Sequence, residues 1–383
     1  MQKKELQVLY IITKLELGGA QKVCLSLFEG LQKAGHHALL VSGTQGTLIP
    51  TVQHNPAVYL LPNFKREISL YALYEEIKNF FGLFIYLRKL KKQYKNLIIH
   101  THSTKAGLIG RWAAFFARIP TRVHTVHGYA FHSFQPKLLW FAIYFLELIT
   151  SFITTHYICV SSSDVQTGVS LFPFFKKKYS IIRAAVNWQQ FYQQQHNPLS
   201  NSNLFIIGTI ACFKKQKNIP DLITAFHYAY QHNNKLRLEI IGDGMLRPAI
   251  EQLIVAYNLS PVVTLHGWQQ SVASIMVNWH AFALTSLWEG LPCAIVEARL
   301  LKLPVLAYDT GGIHDVIVHG KNGFLYKQQD WQSMAKGMIE LSSINSLYRK
   351  MQQYADNLDD FNNYAMVQKH IELYSDLHYS CSN

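Results

Sequence analysis

Short apolar runs recur along the chain, most of them end in polar or glycine-rich loops, and helical patterns follow. The first half opens with runs at residues 8–13 and 38–42, and the second half contains five successive runs of this kind. Regular alternation of strand and helix predicts βαβ units that build a parallel sheet. Because 383 residues suffice for about two domains of roughly 150 residues, we expect two doubly wound, Rossmann-like α/β domains.

A polar, glutamine-rich stretch at residues 187–203 is interrupted by Pro198 and is typical of an interdomain linker. It predicts an N-terminal domain over residues 1–190, a C-terminal domain over residues 204–360 and a final segment at residues 361–383. Ligands of open α/β sheets bind at the carboxyl ends of the strands. We expect these ends to face each other across one cleft.

The formal net charge of +13 is unevenly distributed between the two halves. Residues 1–190 hold 22 basic and 8 acidic side chains, whereas the remainder holds 14 and 15. This asymmetry predicts an anionic partner for the N-terminal half, either a membrane surface, a phosphate-bearing substrate or nucleic acid. Since no nucleic-acid-binding motif accompanies the charge, we expect no nucleic acid.

The five cysteines are widely scattered and form no C-x-x-C pair, which argues against a disulfide framework and against a zinc site. The apolar run near the N-terminus is too short for a signal peptide and lacks a small-residue cleavage site. We therefore expect a protein of a reducing compartment, the cytoplasm.

Two predicted helices have compositions that suit a membrane interface. Residues 80–94 combine aromatic and aliphatic side chains with four basic residues near the end of the run, although a core helix with a solvated basic tail fits equally well. Residues 138–160 are apolar enough to suggest a membrane span, but Glu147 near the middle would cost about 2.5 to 3.5 kcal/mol in a bilayer. We predict a buried or interfacial helix to about Thr154, followed by a strand.

Three loops of the N-terminal half lie where strands are expected to end. Gly18 and Gly19 permit close approach of the backbone to a ligand, or they simply form a tight turn. His127 precedes a glycine and is a candidate ligand contact. A further group of polar side chains follows the strand predicted at residues 97–100: His102, Ser103 and Lys105. Each of these could also be an ordinary cap or surface residue.

In the C-terminal half, a lysine cluster follows the strand at residues 204–210 and can bind phosphates or be merely solvated: Lys214, Lys215 and Lys217. The segment at residues 286–297 carries Glu289 in a predicted loop and Glu297 in a helix that Pro292 begins. A helix N-terminus attracts anions, while two carboxylates accept hydrogen bonds from hydroxyls. A diphosphate sugar fits this description, but two unrelated surface glutamates would show the same spacing.

Taken together, the motifs resemble those of the family 4 retaining glycosyltransferases (glycosyl transferases group 1), which have the GT-B fold. They occur in the family's order: G-G-A-Q at 18–21, H-S-T-K-A-G at 102–107, H-T-V-H-G-Y at 124–129, G-T-I-A-C-F-K-K-Q-K-N at 208–218, G-D-G-M-L-R at 242–247, the E-x7-E pair and T-G-G-I at 310–313. The resemblance covers nearly the whole chain. It also implies that residues 361–377 form a last helix that crosses back onto the N-terminal domain.

The resemblance implies roles for individual residues. Glu297 resembles the glutamate that binds the donor ribose, and Glu289 the one that contacts sugar hydroxyls near the reacting carbon. Lys217 resembles the lysine that binds the diphosphate. His127 resembles the histidine beside the donor sugar that supports the charged transition state.

The remaining assignments follow the same resemblance. Further donor contacts are expected from residues in the strand-end loops: Gly18, Gly19, Lys214, Lys215, Gly244, Met245, Gly267, Trp268, Gly290, Leu291, Pro292 and Cys293. Acceptor contacts are expected from the N-terminal domain: His102, Ser103 and Lys105. Two positions depart from the family pattern, because Cys212 replaces the usual arginine and His280 the usual aspartate. Lys214 or Lys215 could supply the missing positive charge.

The implied reaction moves a sugar from a nucleotide diphosphate sugar to an acceptor hydroxyl with retention at the anomeric carbon and without a metal ion or other cofactor. The basic, aromatic-rich N-terminal half suggests a lipid-linked saccharide acceptor at the inner face of the cytoplasmic membrane, as in polysaccharide, capsule or lipopolysaccharide assembly. Two alternatives remain at this stage. One is a nucleotide-sugar epimerase of the same fold, and the other is a non-catalytic binding subunit.

Overall fold

The computed structural model describes residues 5–62, 64, 70–192 and 204–380. The chain forms two compact units: unit 1 comprises Met1–Ala185 and Asp360–Asn383, and unit 2 comprises Val186–Asp359. The start of the predicted linker therefore belongs to unit 2, and residues 193–203 lie outside the described residues.

Unit 1 is built on a parallel sheet of seven strands in the order β3-β2-β1-β4-β5-β6-β7. The strands are β1 (Gln7–Ile11), β2 (His37–Gly43), β3 (Val58–Leu61), β4 (Ile98–His102), β5 (Thr121–Val126), β6 (His156–Cys159) and β7 (Tyr179–Ile181). The helices that connect them are α1 (Gly19–Lys33), α2 (Ile49–Val52), α3 (Leu70–Gln93), α4 (Thr104–Phe116), α5 (Lys137–Ile153) and α6 (Ser162–Leu171). The central strands β1 and β4 are buried along almost their whole length, as expected when helices cover both faces of a parallel sheet.

Unit 2 is built on a second parallel sheet, with six strands in the order β10-β9-β8-β11-β12-β13. The strands are β8 (Phe205–Ile210), β9 (Leu236–Ile241), β10 (Val263–Gly267), β11 (Ala281–Leu284), β12 (Val305–Tyr308) and β13 (Gly323–Tyr326). The helices are α7 (Gln189–Tyr192), α8 (Ile219–His232), α9 (Arg247–Ala256), α10 (Ala273–Met276), α11 (Cys293–Leu300), α12 (Trp331–Ser343) and α13 (Asn345–Gln352). The prediction of two parallel-sheet α/β domains is confirmed.

The last helix, α14 (Asn363–Ser380), packs against α1 in unit 1. The approach is close at Gly30, where an added Cβ atom would lie 2.5 Å from Cγ2 of Val367. Tyr374 of α14 reaches β1 and β4, because its hydroxyl lies 3.2 Å from the Tyr10 hydroxyl and 2.5 Å from Nδ1 of His100. The end of the chain thus completes the core of its first unit.

The structure differs from the strand predictions in two ways. Three strands were not predicted, because they are short and only partly buried: β3, β7 and β13. Strand β4 was predicted to end at His100 but continues to His102. Its polar side chains are buried and hydrogen-bonded to β5, so two residues that were predicted to follow the strand belong to it.

Helix α5 is held to unit 1 by polar contacts on its buried side. Arg111 of α4 donates through Nη2 to Glu147 Oε2 at 2.8 Å, and Trp112 Nε1 donates to Thr150 Oγ1 at 2.9 Å. Glu147 therefore faces the interior of unit 1 and pairs with a guanidinium, which explains a charge in the middle of an apolar segment. No helix within the described residues is long and apolar enough to cross a membrane.

Substituting Glu147 by alanine should lower the free energy of unfolding by about 3 to 5 kcal/mol, because it leaves the fully buried Arg111 guanidinium without its carboxylate. Urea unfolding monitored by circular dichroism measures this change. The double variant Glu147→Leu/Arg111→Met removes both charges and should recover most of the loss. Equal destabilisation by the single and double variants would contradict an unpaired-charge penalty.

Candidate active site

In unit 2, strands β8 and β11 are neighbours, although β9 and β10 lie between them in the chain. The connections that leave their carboxyl ends run in opposite directions, and such a switch point is where open α/β sheets bind ligands. Lys217 follows β8 and Glu289 follows β11. The topology therefore brings these two predicted catalytic residues to the same edge of the sheet.

Lys217 Nζ donates a hydrogen bond to Glu289 Oε1, and the two side chains form an ion pair. The side chains are 20% and 9% exposed, so the pair is largely shielded from water yet reachable at the sheet edge. Gln216 Nε2 lies 3.5 Å from Glu289 Oε2 and donates to the Trp288 carbonyl at 2.8 Å. The ammonium of such a pair can neutralise a phosphate, and the carboxylate can accept hydrogen bonds from hydroxyls.

The loop that carries Glu289 is fixed by backbone contacts with its neighbours. Leu287 N–H donates to the Gln216 carbonyl at 2.8 Å, and Gly312 N–H donates to the Gly290 carbonyl at 2.5 Å. At Gly311, φ is +57° and an added Cβ atom would lie 2.1 Å from the Glu289 carbonyl oxygen. Close packing of the two loops therefore requires a glycine at this position of the T-G-G-I motif, because any side chain would collide with the Glu289 backbone.

Helix α11 begins at Cys293, one residue later than predicted, and Pro292 is its N-cap. Pro292 provides no side-chain cap, so the first-turn N–H groups are suited to an anion. Leu291 is buried, and Glu297 lies in the second turn of the helix and is 9% exposed. Glu289 and Glu297 thus occupy a loop and a helix, as predicted, whereas their separate roles stay predictions.

The loops after β9 and β10 are joined by a hydrogen bond from Gly242 N–H to the Gly267 carbonyl at 2.8 Å. Gly244 and Gly267 both have positive φ, and the side chains beside them, Met245 and Trp268, are 86% and 44% exposed. Large exposed apolar side chains at this edge are suited to contact with the flat face of a base.

The remaining lysines of the predicted phosphate site lie in one turn. Lys215–Lys217 is a 3-10 helix, and Lys214 is the residue that precedes it. Gln216 in this turn was missed by sequence reasoning, because an amide between two lysines gives no signal for a contact made 72 residues away.

One departure from the family pattern has a structural explanation. His280 is buried before β11, and its Nδ1 accepts a hydrogen bond from the Ile206 N–H of β8 at 3.1 Å. An aspartate oxygen at this position could accept the same bond, so the histidine preserves the link between the two strands. Cys212 is a partly buried free cysteine in the loop after β8.

In unit 1 the switch point lies between β1 and β4, and two hydroxyls meet there: Thr13 Oγ1 and Ser103 Oγ are 2.7 Å apart. Gly18 is the N-cap of α1 and Gly19 its first residue, so both lie at the same sheet edge. Lys105, in the first turn of α4, forms an ion pair with Glu76 of α3.

His102 is fully buried as the last residue of β4, although it was predicted to follow the strand, and its Nδ1 lies 2.9 Å from Nε2 of His127. The rings of His100 and His102 have centroids 4.4 Å apart, and those of His100 and His370 are 5.7 Å apart. All three predicted acceptor residues therefore interact with side chains of unit 1, and direct acceptor binding by them stays a prediction. The histidine series, which continues to α14, was not predicted.

Burial keeps this histidine series uncharged. It lowers the pKa of His100 and His102 well below the ordinary value, and neighbouring histidines lower it further. Burial likewise lowers the pKa of His127, and lowers that of His370 to about 4. A neutral His127 retains one ring nitrogen as a donor and one as an acceptor, so it can bind a sugar hydroxyl while His102 holds its ring.

The two units match two family models: residues 17–190 match "Glycosyltransferase Family 4", and residues 191–358 match "Glycosyl transferases group 1". The chain is 28% identical to the UDP-Gal:α-D-GlcNAc-diphosphoundecaprenol α-1,3-galactosyltransferase of Escherichia coli, over 94% of each chain. It is 25% identical to the capsular polysaccharide biosynthesis glycosyltransferase CapM of Staphylococcus aureus, over 76% of this chain and 77% of CapM.

Solved structures give the same fold. The structure of Anabaena HepE with UDP and glucose superposes with a TM-score of 0.79 at 19% identity, over 97% of this chain and all of HepE. A sucrose-phosphate synthase from Thermosynechococcus elongatus superposes with the same TM-score at 18% identity, over 98% of this chain and all of the synthase. The fold, the ordered motifs and the two adjoining family matches together show that the chain belongs to the family 4 glycosyltransferases of the GT-B fold and is a glycosyltransferase of polysaccharide or lipid-linked sugar biosynthesis.

Proposed function

We propose that the protein transfers a hexose or N-acetylhexosamine from a nucleotide diphosphate sugar to a hydroxyl of a lipid-linked saccharide, with retention at the anomeric carbon. The observation that carries the proposal is the Lys217–Glu289 pair at the switch point of unit 2. It combines a cation for the leaving diphosphate with a carboxylate for the sugar hydroxyls.

The charges of the pair suggest how the donor is accepted. Without donor, Glu289 neutralises Lys217. An ammonium has three N–H donors, so Lys217 can retain Glu289 while it binds a phosphate oxygen. Positive charge at that oxygen stabilises the diphosphate as the bond to the anomeric carbon breaks. The first turn of α11 adds backbone N–H groups, and Glu297 is assigned to the ribose hydroxyls.

Retention requires that the acceptor attack the face from which the diphosphate departs. The leaving phosphate oxygen takes the acceptor proton, so the chain's own residues position the reactants and stabilise charge. His127, held by His102, is assigned to a hydroxyl of the donor sugar. The paired carboxylates Glu289 and Glu297 are not an acid–base couple of the glycosidase kind, and we expect no metal ion to take part.

The relatives support a lipid-linked acceptor, since the name of the E. coli relative specifies a diphosphoundecaprenol-linked sugar acceptor and a UDP-sugar donor. The basic excess of residues 1–190 suits the same substrate class, because a diphosphate lipid is anionic and lies in an anionic surface. We place the protein at the inner face of the cytoplasmic membrane, as a peripheral enzyme of cell-surface polysaccharide, capsule or lipopolysaccharide assembly.

A donor screen followed by a transfer assay tests this proposal. A matching nucleotide diphosphate sugar should raise the melting temperature, and transfer from it to a short-chain prenyl-diphosphate saccharide should proceed unchanged in EDTA. NMR of the product should show the anomeric configuration of the donor. An inverted product would exclude retention, and loss of activity in EDTA would exclude metal independence. Interconversion of the donor without acceptor would instead identify an epimerase.

A further inference from the structure

Helix α5 of unit 1 exposes many large apolar side chains and buries most of its polar ones, while other apolar side chains pack inward against the core: Trp140, Ile143, Tyr144 and Leu148. The inward side carries Glu147, Thr150 and Ser151, all of them buried. Apart from Lys137 at its start, the large exposed side chains of the helix are apolar and 37% to 83% exposed: Leu138, Leu139, Phe141, Phe145, Leu146, Ile149 and Phe152. A surface helix ordinarily shows the reverse pattern. An apolar face of this extent on a folded unit indicates an interaction site.

Neighbouring helices extend this apolar face. Helix α4 packs between α3 and α5, and it exposes Phe115 and Phe116 near its end. Helix α3 exposes a stripe at Ile77, Phe81 and Ile85. We call the outward sides of these three helices the α3–α5 face.

Cationic side chains border the α3–α5 face. Arg88, Lys92 and Arg118 line a depression beside Phe116, and the Arg122 guanidinium lies 5.6 Å from the centre of the Phe115 ring. Between residues 104 and 178 the sequence has only two acidic residues, Glu147 and Asp164, and both are buried. The part of the face formed by α4 and α5 therefore presents apolar surface and positive charge without exposed carboxylates, whereas α3 carries the half-buried Glu75 and Glu76, the second of which pairs with Lys105.

We propose that the α3–α5 face binds the surface of an anionic bilayer, with α5 lying in the plane of the interface. The inference rests on the proposed function, because it supplies the surface on which a lipid-linked acceptor would be met. Phenylalanine and leucine side chains enter the acyl boundary, while the bordering cations contact lipid phosphates. The charge pattern favours lipid over a second copy of the chain, since a twofold dimer through this face would oppose two sets of the same cations.

Flotation with vesicles tests the proposal directly. The wild-type protein should float with phosphatidylcholine vesicles that contain about 30% phosphatidylglycerol at low salt, and less with pure phosphatidylcholine. Phe141→Ser/Phe145→Ser should reduce the partition coefficient about a hundredfold, since each lost ring costs about a factor of ten. Val255→Ser/Ile344→Ser, which removes exposed apolar side chains of unit 2, is the matched control and should float like the wild type.

Undiminished flotation of Phe141→Ser/Phe145→Ser would overturn the proposal. The proposal would also be overturned if the wild type formed a concentration-dependent dimer and did not bind vesicles, while the variant remained monomeric. The face would then be an interface between two copies of the chain. Transfer to a water-soluble acceptor separates this inference from the proposed function. The variant should transfer sugar to the soluble acceptor at the wild-type rate but lose transfer to an acceptor embedded in vesicles. A wild-type protein that floats with vesicles but transfers no sugar to either acceptor would refute only the proposed function.

Discussion

Replacing Lys217 by alanine should lower kcat about a hundredfold to a thousandfold, which is the effect of removing one charge that stabilises a transition state. The loss should fall on kcat more than on KM, because negative charge on the diphosphate grows as the glycosidic bond breaks. Steady-state kinetics with saturating donor measure both quantities. Lys321→Ala, a change of an exposed lysine in the same unit, is the matched control.

Glu289 provides the partner experiment. Glu289→Gln keeps a hydrogen-bond acceptor but removes the charge that neutralises Lys217, so the donor should bind at least as tightly while turnover falls. The Lys217→Ala/Glu289→Gln double variant should be about as slow as the slower single variant if the two residues act as a unit. Wild-type turnover in either single variant would exclude the assigned roles.

Unit 1 should lose stability steeply as the pH falls below about 6.5. Six histidines of unit 1 have a folded-state pKa below the ordinary value, mainly because of burial: His100, His102, His124, His127, His156 and His370. The histidine pKa is about 6.5 in the unfolded chain and lower in the folded protein, about 4 for His370. At pH values between these two, the unfolded chain binds more protons than the folded protein does. The stabilisation is complete above the unfolded pKa and is lost as the pH falls.

The expected size is large for a single unit. At pH 5.5 each such histidine removes about 1.4 kcal/mol, so six together remove about 8 kcal/mol, comparable with the whole stability of many domains. Hydrogen exchange of unit 1 peptides at pH 7 and 5.5, corrected for intrinsic rates, measures this loss. His370→Gln should reduce the pH dependence by about a sixth, and His54→Gln, at an exposed position, is the matched control. Equal stability at both pH values would show that the histidines are charged or solvated in the folded state.

The architecture could be predicted from the sequence because parallel strands and their helices have short-range patterns. Apolar runs predicted most strands of both sheets, and glycine-rich loops marked many of the strand ends. The sequence places Lys217 and Glu289 after strands, and the family resemblance assigns both to the donor site. Their direct ion pair was not predicted.

Other features have no local signal. The polar end of β4 became a strand because partners on β5 satisfy its buried side chains. The outward apolar face of α5 could not be deduced from helical periodicity, since the helix is apolar on most sides and contacts with α4, such as Arg111–Glu147 and Trp112–Thr150, fix the side that faces inward. The approach of Gly311 to the Glu289 carbonyl likewise depends on the positions of two neighbouring loops.

The return of α14 to unit 1 has a consequence for the order of folding during synthesis. Tyr10 and Tyr374 touch across 364 residues, so the ribosome must release nearly the whole chain before this core contact can form. At about 5 to 20 residues per second, the chain after Ala185 takes roughly 10 to 40 s to be made. Throughout that time the α1 surface that α14 later covers remains open, whereas unit 2 is contiguous in the chain and can fold as soon as Asp359 emerges. Unit 2 can therefore be the first to finish, although unit 1 is the first to be translated.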